Sequence, residues 1–310
     1  MTTVEQPLVS ILMNCFNGER YLREAIDSVV AQTYGQWELI FWDNQSTDAS
    51  TGICRSYRDP RIKCFVSPRH TNLGGARALA LEQTKGQLIA VLDVDDVWLP
   101  EKLARQVPCF ADPQVGIVIS DTLFFTDDGE QRRLFGRRVP PQGSVFPELI
   151  ANYFCSLETV VIRDAAIKSM SHGFDSTFSH ISDFDFIVRL SKDWKLVCVP
   201  EVLAKWRVHQ ASGTWAEPDK FYREKMKFVE KMDALTEFSS AWRPVRRIFV
   251  RNTIASEAIA QLARDERAGC RTALRPYLFS GMKATLVYFL SWLPFSADFV
   301  RAYRRRKAMV

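Results

Sequence analysis

The sequence predicts an α/β protein with a mostly parallel central sheet flanked by helices, followed by a helical C-terminal extension. Three observations carry that expectation. Through the first hundred residues, short apolar runs alternate with amphipathic stretches of helix length, the pattern of βαβ units. The most apolar of those runs, Gln87 to Leu92, ends directly in Asp93-Val94-Asp95-Asp96, so acidic residues follow a strand apolar enough to be central. After Pro218 the text turns helical and stays so. The chain has 310 residues, 47% hydrophobic and 25% charged, enough to bury a sizeable core and far from the regime of disorder.

In chain order, Leu8 to Met13 reads as a buried strand. Glu19 to Gln32 reads as a helix with Tyr21, Leu22, Ile26, Val29 and Val30 on one face. Trp37 to Trp42 is the second strand. Ser46 or Asp48 can N-cap a helix from Ala49 to Tyr57, and Ile62 to Val66 is the third strand. Asn72 precedes a helix from about Gly74 to Lys85, which Gly86 can stop. Gly116 to Phe125, Thr159 to Arg163 and Val202 to Val208 are further strands, and Asp183 to Leu190 is a helix. Beyond Pro218, Phe221, Lys225, Phe228, Val229, Met232 and Leu235 form one helical stripe. The expected division is a domain over residues 1–215 and a helical region over 216–310, with the softest stretch near Glu237 to Pro244.

The net charge of +5 hides an asymmetry. From Ser240 to Val310 there are 14 Lys/Arg against 4 Asp/Glu, a balance of +10, which leaves 27 basic and 32 acidic residues, or −5, for the first 239. A basic tail suits an anionic surface. The apolar stretch Ala284 to Val300 is interrupted by Pro294 and bounded by Lys283 and Asp298, too short to span a bilayer. It reads as an interfacial helix whose basic end, Arg301 to Lys307, meets anionic lipid; the alternative is a packed terminal helix. Nucleic acid is not expected as a partner, because the tail carries no recognised binding motif. Seven cysteines form no C-x-x-C pair and no even framework, so neither a zinc ribbon nor a disulfide scaffold is expected and a reducing, cytoplasmic interior fits. The N-terminus has no basic segment leading into an apolar stretch, so no secretory signal is expected.

Asp93-x-Asp95-Asp96 suits a hard divalent cation, Mn²⁺ or Mg²⁺, because close carboxylates repel one another unless positive charge is supplied. Such an ion keeps positions open for water and phosphate oxygens, which points to a nucleoside-diphosphate substrate. The carboxyl end of a parallel strand is also where open α/β sheets hold ligands. The plainer alternative is that these acids cap a helix starting near Leu99. No G-x-G-x-x-G and no glycine-rich phosphate loop bearing Lys or Arg follows the first strand, which disfavours a dehydrogenase and a nucleotidyltransferase.

Four segments in order, VSILMNCFNGERYL, WDNQSTD at 42–48, NLGGAR at 72–77 and LDVDD at 92–96, resemble family 2 glycosyltransferases of the GT-A fold over roughly residues 7–210. The resemblance implies a Rossmann-like GT-A catalytic domain. It also implies inverting, metal-dependent transfer of a sugar from a nucleoside-diphosphate donor, UDP-linked by preference, to a hydroxyl of a glycan or lipid-linked acceptor. The family's common setting is cell-surface polysaccharide or lipopolysaccharide synthesis, which implies a place at the inner face of the cytoplasmic membrane.

Residue by residue, the resemblance implies that Asn14, Cys15 and Phe16 line the nucleotide-base pocket, in places where the family usually has Pro-Thr-Tyr. Asp43 falls near the base or ribose, Arg77 near the base or phosphates, Asp93 at the ribose or metal shell, and Asp95 on the metal. Gly173-Phe174-Asp175 and Ser182-Asp183-Phe184-Asp185 through Arg189-Leu190 look like the family's G-F-D and E-D-x-D-x-x-x-R-L segments. That match makes Asp183 the catalytic base and Asp185 a second candidate contact, with Ser182 standing where the family has Glu. Trp206-Arg207-Val208-His209-Gln210-Ala211-Ser212 is similar to Y-R-x-H-x-x-S, which implies that His209 approaches the metal and Arg207 the leaving-group charge. Plainer readings stand beside each: Asp43 and Asp48 as helix caps, Arg77 as a solvated helix residue, Asp183 and Asp185 as acids favoured by a helix dipole, His209 as a surface residue. A catalytically silent nucleotide-sugar-binding module, suggested by Ser182, and a nucleotidyltransferase are the alternative functions.

Overall fold

The structure, a computed structural model, describes residues 6–129, 131–136, 138–209, 218–294 and 296–301. The basic residues of 302–310 and the Gln210-Ala211-Ser212 end of the last motif lie outside them. The described residues divide into two compact units. One runs to Phe146 and resumes over Phe154–Arg207; the other comprises Pro147–Tyr153 and the chain from Val208 onward.

The first unit is built on a nine-stranded mixed sheet. In chain order its strands are β1 (Val9–Cys15), β2 (Trp37–Asp43), β3 (Ile62–Val66), β4 (Leu88–Val91), β5 (Val97–Trp98), β6 (Val115–Phe125), β7 (Gln131–Arg133), β8 (Val161–Arg163) and β9 (Lys195–Arg207). Their spatial order is β3-β2-β1-β4-β8-β6-β9-β5, with β7 paired to β6. The block β3-β2-β1-β4 is parallel throughout, as alternating strand and helix runs predict, and β6 is parallel to β9. Antiparallel β8 joins the two parallel groups, pairing with β4 on one side and β6 on the other. Helices α1 (Leu22–Val30), α2 (Ser50–Ser56) and α3 (Leu73–Leu81) are the crossovers of the parallel block. The core beneath them is fully buried apolar surface from β1, β2, β4 and α1, including Ile11, Met13, Leu39, Phe41, Leu22, Ile26 and Val29.

Several expected boundaries move, each for a local reason. Helix α3 ends at Leu81 rather than near Lys85, and Gly86 is not its terminator. A Cβ on Gly86 would lie 2.6 Å from the backbone of both Leu8 and Ser10, so only glycine lets the chain enter β4 this close to β1. Strand β9 begins at Lys195, well before Val202, and runs through Pro200. Its register with β6 jumps from Ser120↔Val199 to Asp121↔Val202, and this irregularity takes up the proline that cannot donate to the ladder. The acids of 93–96 do not cap a helix near Leu99. Strand β5 follows them instead, and the next helix, α4, spans Lys102–Gln106. Helix α5 (Phe146–Ala151) falls almost wholly in the second unit, and the remaining helices of the first are α6 (Asp164–Lys168) and α7 (Ser182–Ser191).

The second unit is helical, as the text after Pro218 predicts: α8 (Pro218–Ala234), α9 (Ser239–Ala263), α10 (Arg267–Leu274) and α11 (Met282–Leu290). The α8 stripe buries Phe228, Val229 and Met232, and Phe228 packs edge-on to Trp242 of α9 at 5.9 Å. The stretch Glu237 to Pro244 is ordered helix rather than a soft joint, since α9 continues through Pro244 in its second turn.

One cysteine expectation is corrected. Cys54 of α2 and Cys64 of β3 form a disulfide, with Cα atoms 6.5 Å apart. The seven cysteines in sequence show no such pair, because α2 brings Cys54 back over β3 only in the folded chain. Cys15, Cys109, Cys155, Cys198 and Cys270 are free thiols. Closing so short a loop stabilises by roughly 2–3 kcal/mol. Dithiothreitol should therefore lower the urea midpoint of the wild type to that of Cys54→Ser, whose own midpoint should ignore reductant; coincident oxidised and reduced wild-type curves would show that the pair does not cross-link the native protein.

Candidate active site

Of the sequence-predicted residues, Asn14, Cys15, Phe16, Asp43 and Asp93 sit at or just beyond the carboxyl ends of β1, β2 and β4. The register pairs Cys15 with Asp43, and the backbone N–H of Leu92 donates to Leu12 O at 3.0 Å, so these ends lie side by side, at the edge where open α/β sheets form their ligand crevice. Asn14 is 8% exposed, and neither its amide nitrogen nor its amide oxygen has a hydrogen-bond partner. A buried amide left unpaired on both ends is costly, and a ligand with complementary donors and acceptors would satisfy it. Cys15 is buried, which pushes its thiol up despite hydrogen bonds from Ser46 and Ser50. Phe16, by contrast, is 52% exposed, with its ring 4.5 Å from that of His70. An open aromatic face beside an unpaired amide suits a flat heteroaromatic ring.

Asp43 is buried at the end of β2. It accepts the Ser46 N–H at 2.8 Å and the Thr51 hydroxyl, so in the free protein its carboxylate shapes the loop that leads into α2. Asp48 accepts the Ser50 N–H at 3.0 Å, but the N-cap of α2 is Ala49, with no side-chain cap, so neither Ser46 nor Asp48 is the N-cap that the sequence offers.

The NLGGAR segment resolves into three separate duties. Asn72 caps α3, its Oδ1 accepting from Gly75 N at 2.8 Å, while its Nδ2 donates to Ser176 O at 2.7 Å. Gly74 lets the helix meet the 175–178 turn, since a Cβ there would stand 2.1 Å from the carbonyl oxygen of Phe178. That approach brings Arg77, one turn along, to α7. Arg77 is 3% exposed; its Nη2 donates to both oxygens of Asp93 at 2.9 and 3.1 Å, and its Nη1 donates to Ser182 Oγ at 2.9 Å. It is neither a solvated helix residue nor free to reach into the crevice: it ties Asp93 to the first residue of α7.

Asp183 follows Ser182 and is half-buried. Burial pushes its carboxyl above the usual range, against the pull of the Arg77 charge and with a further push from Asp93. Asp185 stands apart from it. It is fully buried and accepts from Arg189 Nε and Nη2 at 2.9 and 2.7 Å, while Arg189 also donates to the carbonyls of His172 and Gly173. Asp185 is therefore corrected from a second substrate contact to an anchor of the Gly173 turn: one residue along the helix from Phe184, it points into the core.

Arg207 closes the other side. Its guanidinium lies 4.3 Å from the Tyr21 ring and 4.4 Å from the Phe125 ring, and pairs with Glu24 and with Asp127 at 2.6 Å. Its Nε donates to the Asp95 carbonyl at 3.0 Å, and its backbone N–H donates to Asp96 Oδ1 at 2.9 Å. With these bonds made and 5% exposure, Arg207 holds the acidic loop in place rather than facing leaving-group charge. His209 lies two residues beyond β9 at the start of the second unit.

Beside Asp96, the buried end of the loop, sit Glu158 and Lys102, which the sequence reading missed. Burial, then the charges of Asp95, Glu158 and Asp93, push the Asp96 carboxyl well above its ordinary range. Glu158 is itself buried and raised, and accepts from Ser156 Oγ at 2.8 and 2.7 Å. Burial pulls the Lys102 ammonium down to about 7, although Glu158 opposes the shift. Lys102 donates to Gln106 at 2.7 Å and lies 4.3 Å from the Trp98 ring. Glu24, Asp127 and Glu158 each come from a stretch with no motif, so only the fold makes them neighbours of the loop.

The donor set suits a cation that brings its own ligands. Among the described residues no three His, Cys, Asp or Glu side chains converge as a ready cage. Asp96 is buried, while Asp95 and Asp93, whose carboxylate Arg77 engages, are both partly exposed hard oxygen donors. Mn²⁺ and Mg²⁺ are commonly held in this way, by one or two carboxylates plus substrate phosphates and water.

A family model described as Glycosyl transferase family 2 matches residues 10–169, half of the chain. Among curated proteins, the chain is 28% identical over 207 residues to UDP-Glc:alpha-D-GlcNAc-diphosphoundecaprenol beta-1,3-glucosyltransferase WfgD of Escherichia coli, covering 66% of this chain and 79% of that one. It is 30% identical over 209 residues to WfaP of Escherichia coli, which bears the same enzyme description, with the same coverages of 66% and 79%. Among solved structures, S. aureus TarS 1-349 in complex with UDP-GlcNAc superposes with a TM-score of 0.66 at 16% identity, over 97% of this chain and 89% of that one. The mannosyltransferase PcManGT from Pyrobaculum calidifontis, in complex with GDP-Man and Mn²⁺, superposes with a TM-score of 0.64 at 14% identity, over 99% and 86%. These likenesses establish that the fold is that of GT-A enzymes.

Removing the Asp185 charge strands a buried guanidinium, so Asp185→Asn should lose about 3–5 kcal/mol of stability in urea titration. An Asp185→Asn protein of unchanged stability but lost activity would instead show that this carboxylate touches substrate.

Proposed function

Because the chain belongs to glycosyl transferase family 2, we propose that it moves a sugar from a UDP-linked donor to a hydroxyl of a glycan or lipid-linked acceptor, with inversion, in cell-surface polysaccharide synthesis. The chain is a glycosyltransferase; donor, acceptor, stereochemistry and metal are this reading's own. The observation that carries it is the link Asp93–Arg77–Ser182, which ties the acidic loop to the first turn of α7, where Asp183 stands. The related Escherichia coli enzymes, described as acting with UDP-Glc on a diphosphoundecaprenol-linked sugar, support a lipid-linked acceptor and hence a working position at the inner membrane face. We take residues 1–215 as the catalytic domain and 216–310 as its helical appendage.

In this reading Asn14 and Phe16 receive the base, with Cys15 and Asp43 shaping the pocket floor. Asp93, fixed by Arg77, meets the ribose. Asp95 would hold Mn²⁺ or Mg²⁺, which when bound supplies positive charge opposite the departing diphosphate. Asp183 accepts the proton of the acceptor hydroxyl as its oxygen bonds to the anomeric carbon. The carbon–phosphate-oxygen bond breaks on the opposite face, and its electron pair leaves with the nucleoside diphosphate. One displacement inverts the centre. Ser182, in the family's usual Glu position, keeps α7 tied to Arg77 through its hydroxyl, so Asp183 retains a defined position. A catalytically silent binding module would keep the same pocket, and turnover is what separates the two.

Release of nucleoside diphosphate from a UDP-sugar panel should require Mn²⁺ or Mg²⁺ and stop with EDTA; release untouched by EDTA would remove the metal from the reading. Asp183→Asn should lower turnover by at least about 100-fold while donor binding persists. The base must be ionised to work, and burial raises its pKa, so the acid limb of the kcat/KM profile should fall above the ordinary aspartate range. Near-normal turnover in Asp183→Asn would exclude Asp183 as the base.

A further inference from the structure

In the helical unit, α11 is turned the wrong way round for a packed helix. Its inward residues are the small Ala284 and Val287, buried with Ala255, Ala258 and Leu262. Its large apolar side chains face out: Met282 is 88% exposed, Leu286 66% and Phe289 53%. Their spacing of four and three residues places them on one stripe. The turn before the helix adds Phe279, and the segment after it adds Trp292, Leu293 and Phe299, all exposed. Most of the exposed large hydrophobic side chains among the described residues thus fall within 279–299.

The surroundings of this stripe are cationic. Arg247 and Arg251 line a cleft of about 540 Å³ whose wall includes Phe279. Arg271 lies 4.3 Å from the Trp292 ring and donates to Ser291 O at 3.0 Å. Lys283 and Arg275 are exposed beside the stripe, and the sequence from Ser240 onward carries a balance of +10. No described helix is long and apolar enough to cross a membrane. Large apolar side chains ringed by guanidinium and ammonium groups match the chemistry of a bilayer interface, with acyl chains inside and phosphate outside.

We propose that the α11 face, with Phe279, Trp292 and the Arg247–Arg251 cleft, docks on the surface of an anionic phospholipid bilayer. Met282, Leu286, Phe289 and Trp292 enter the headgroup–acyl boundary while the arginines meet lipid phosphates. This deepens the membrane-side reading above, which it rests on only for the whereabouts of the acceptor; vesicle binding needs no transfer, so either reading can fail without the other.

The experiment is co-sedimentation of the full chain with phosphatidylcholine vesicles, with and without phosphatidylglycerol. Binding should require phosphatidylglycerol, weaken in high salt, and be accompanied by a blue shift of tryptophan emission that Trp292→Phe abolishes. The double variant Leu286→Asp with Phe289→Asp, both at exposed positions, should bind at least about tenfold more weakly while its melting curve and its release of nucleoside diphosphate from soluble donor stay unchanged. Arg247→Glu should weaken binding in the same direction. Absence of vesicle binding by the wild type, equal binding by the double variant, or a wild-type dimer in solution that the double variant dissolves would each overturn the proposal, the last by showing that a second copy covers the face.

Discussion

The site depends on one buried guanidinium. Arg77 reaches from α3 to the carboxylate of Asp93 just past the central strand and to the hydroxyl of Ser182 that begins α7, so two segments 89 residues apart in sequence share one hydrogen-bonded ion. Its position is set upstream by two small decisions of the sequence: an asparagine that caps the helix and a glycine that lets the helix touch the 175–178 turn. A side chain at Gly74 would push α3 off that turn and pull the arginine from both partners at once. The acidic loop and the first turn of α7 are therefore aligned by helix packing, with Arg77 as the pin.

Across the crevice, Arg207 does for the acidic loop what Arg77 does for Asp93. Sandwiched by two rings and paired with two carboxylates, it holds the Asp95 carbonyl and the Asp96 side chain, and strand β5 pairs the following residues onto β9. Asp93 and Asp95 are both partly exposed, whereas Asp96, Glu158 and Lys102 are buried. Concentrating negative charge under a loop costs stability in the free protein, and a cation bound at that loop would relieve it.

The parallel half of the fold was legible because burial on both faces of β1, β2 and β4 leaves continuous apolar runs, and because Asn72 announces its helix through local chemistry. Strand β9 was half-legible, since Pro200 breaks the pattern that a register shift then accommodates. Residue roles were less legible than residue identities. Arg77, Asp185 and Arg207 stand in the right segments, yet a motif cannot say which partner an arginine or aspartate meets, and here each is engaged by other protein groups. Glu24, Asp127 and Glu158 had no local signal at all, and neither had the Cys54–Cys64 pair, because their partners are distant in sequence and are brought near only by the sheet order.

Glycosyl transfer is decided by what leaves the donor. The direct measurement is mass spectrometry of the products formed from UDP-, GDP- and dTDP-sugars with a polyprenyl-diphosphate-linked sugar as acceptor. One donor should yield its nucleoside diphosphate together with acceptor heavier by one sugar. Release of pyrophosphate or of nucleoside monophosphate would contradict it by placing bond cleavage within the diphosphate, and donor that binds but stays intact beside unchanged acceptor would make this pocket a binding module.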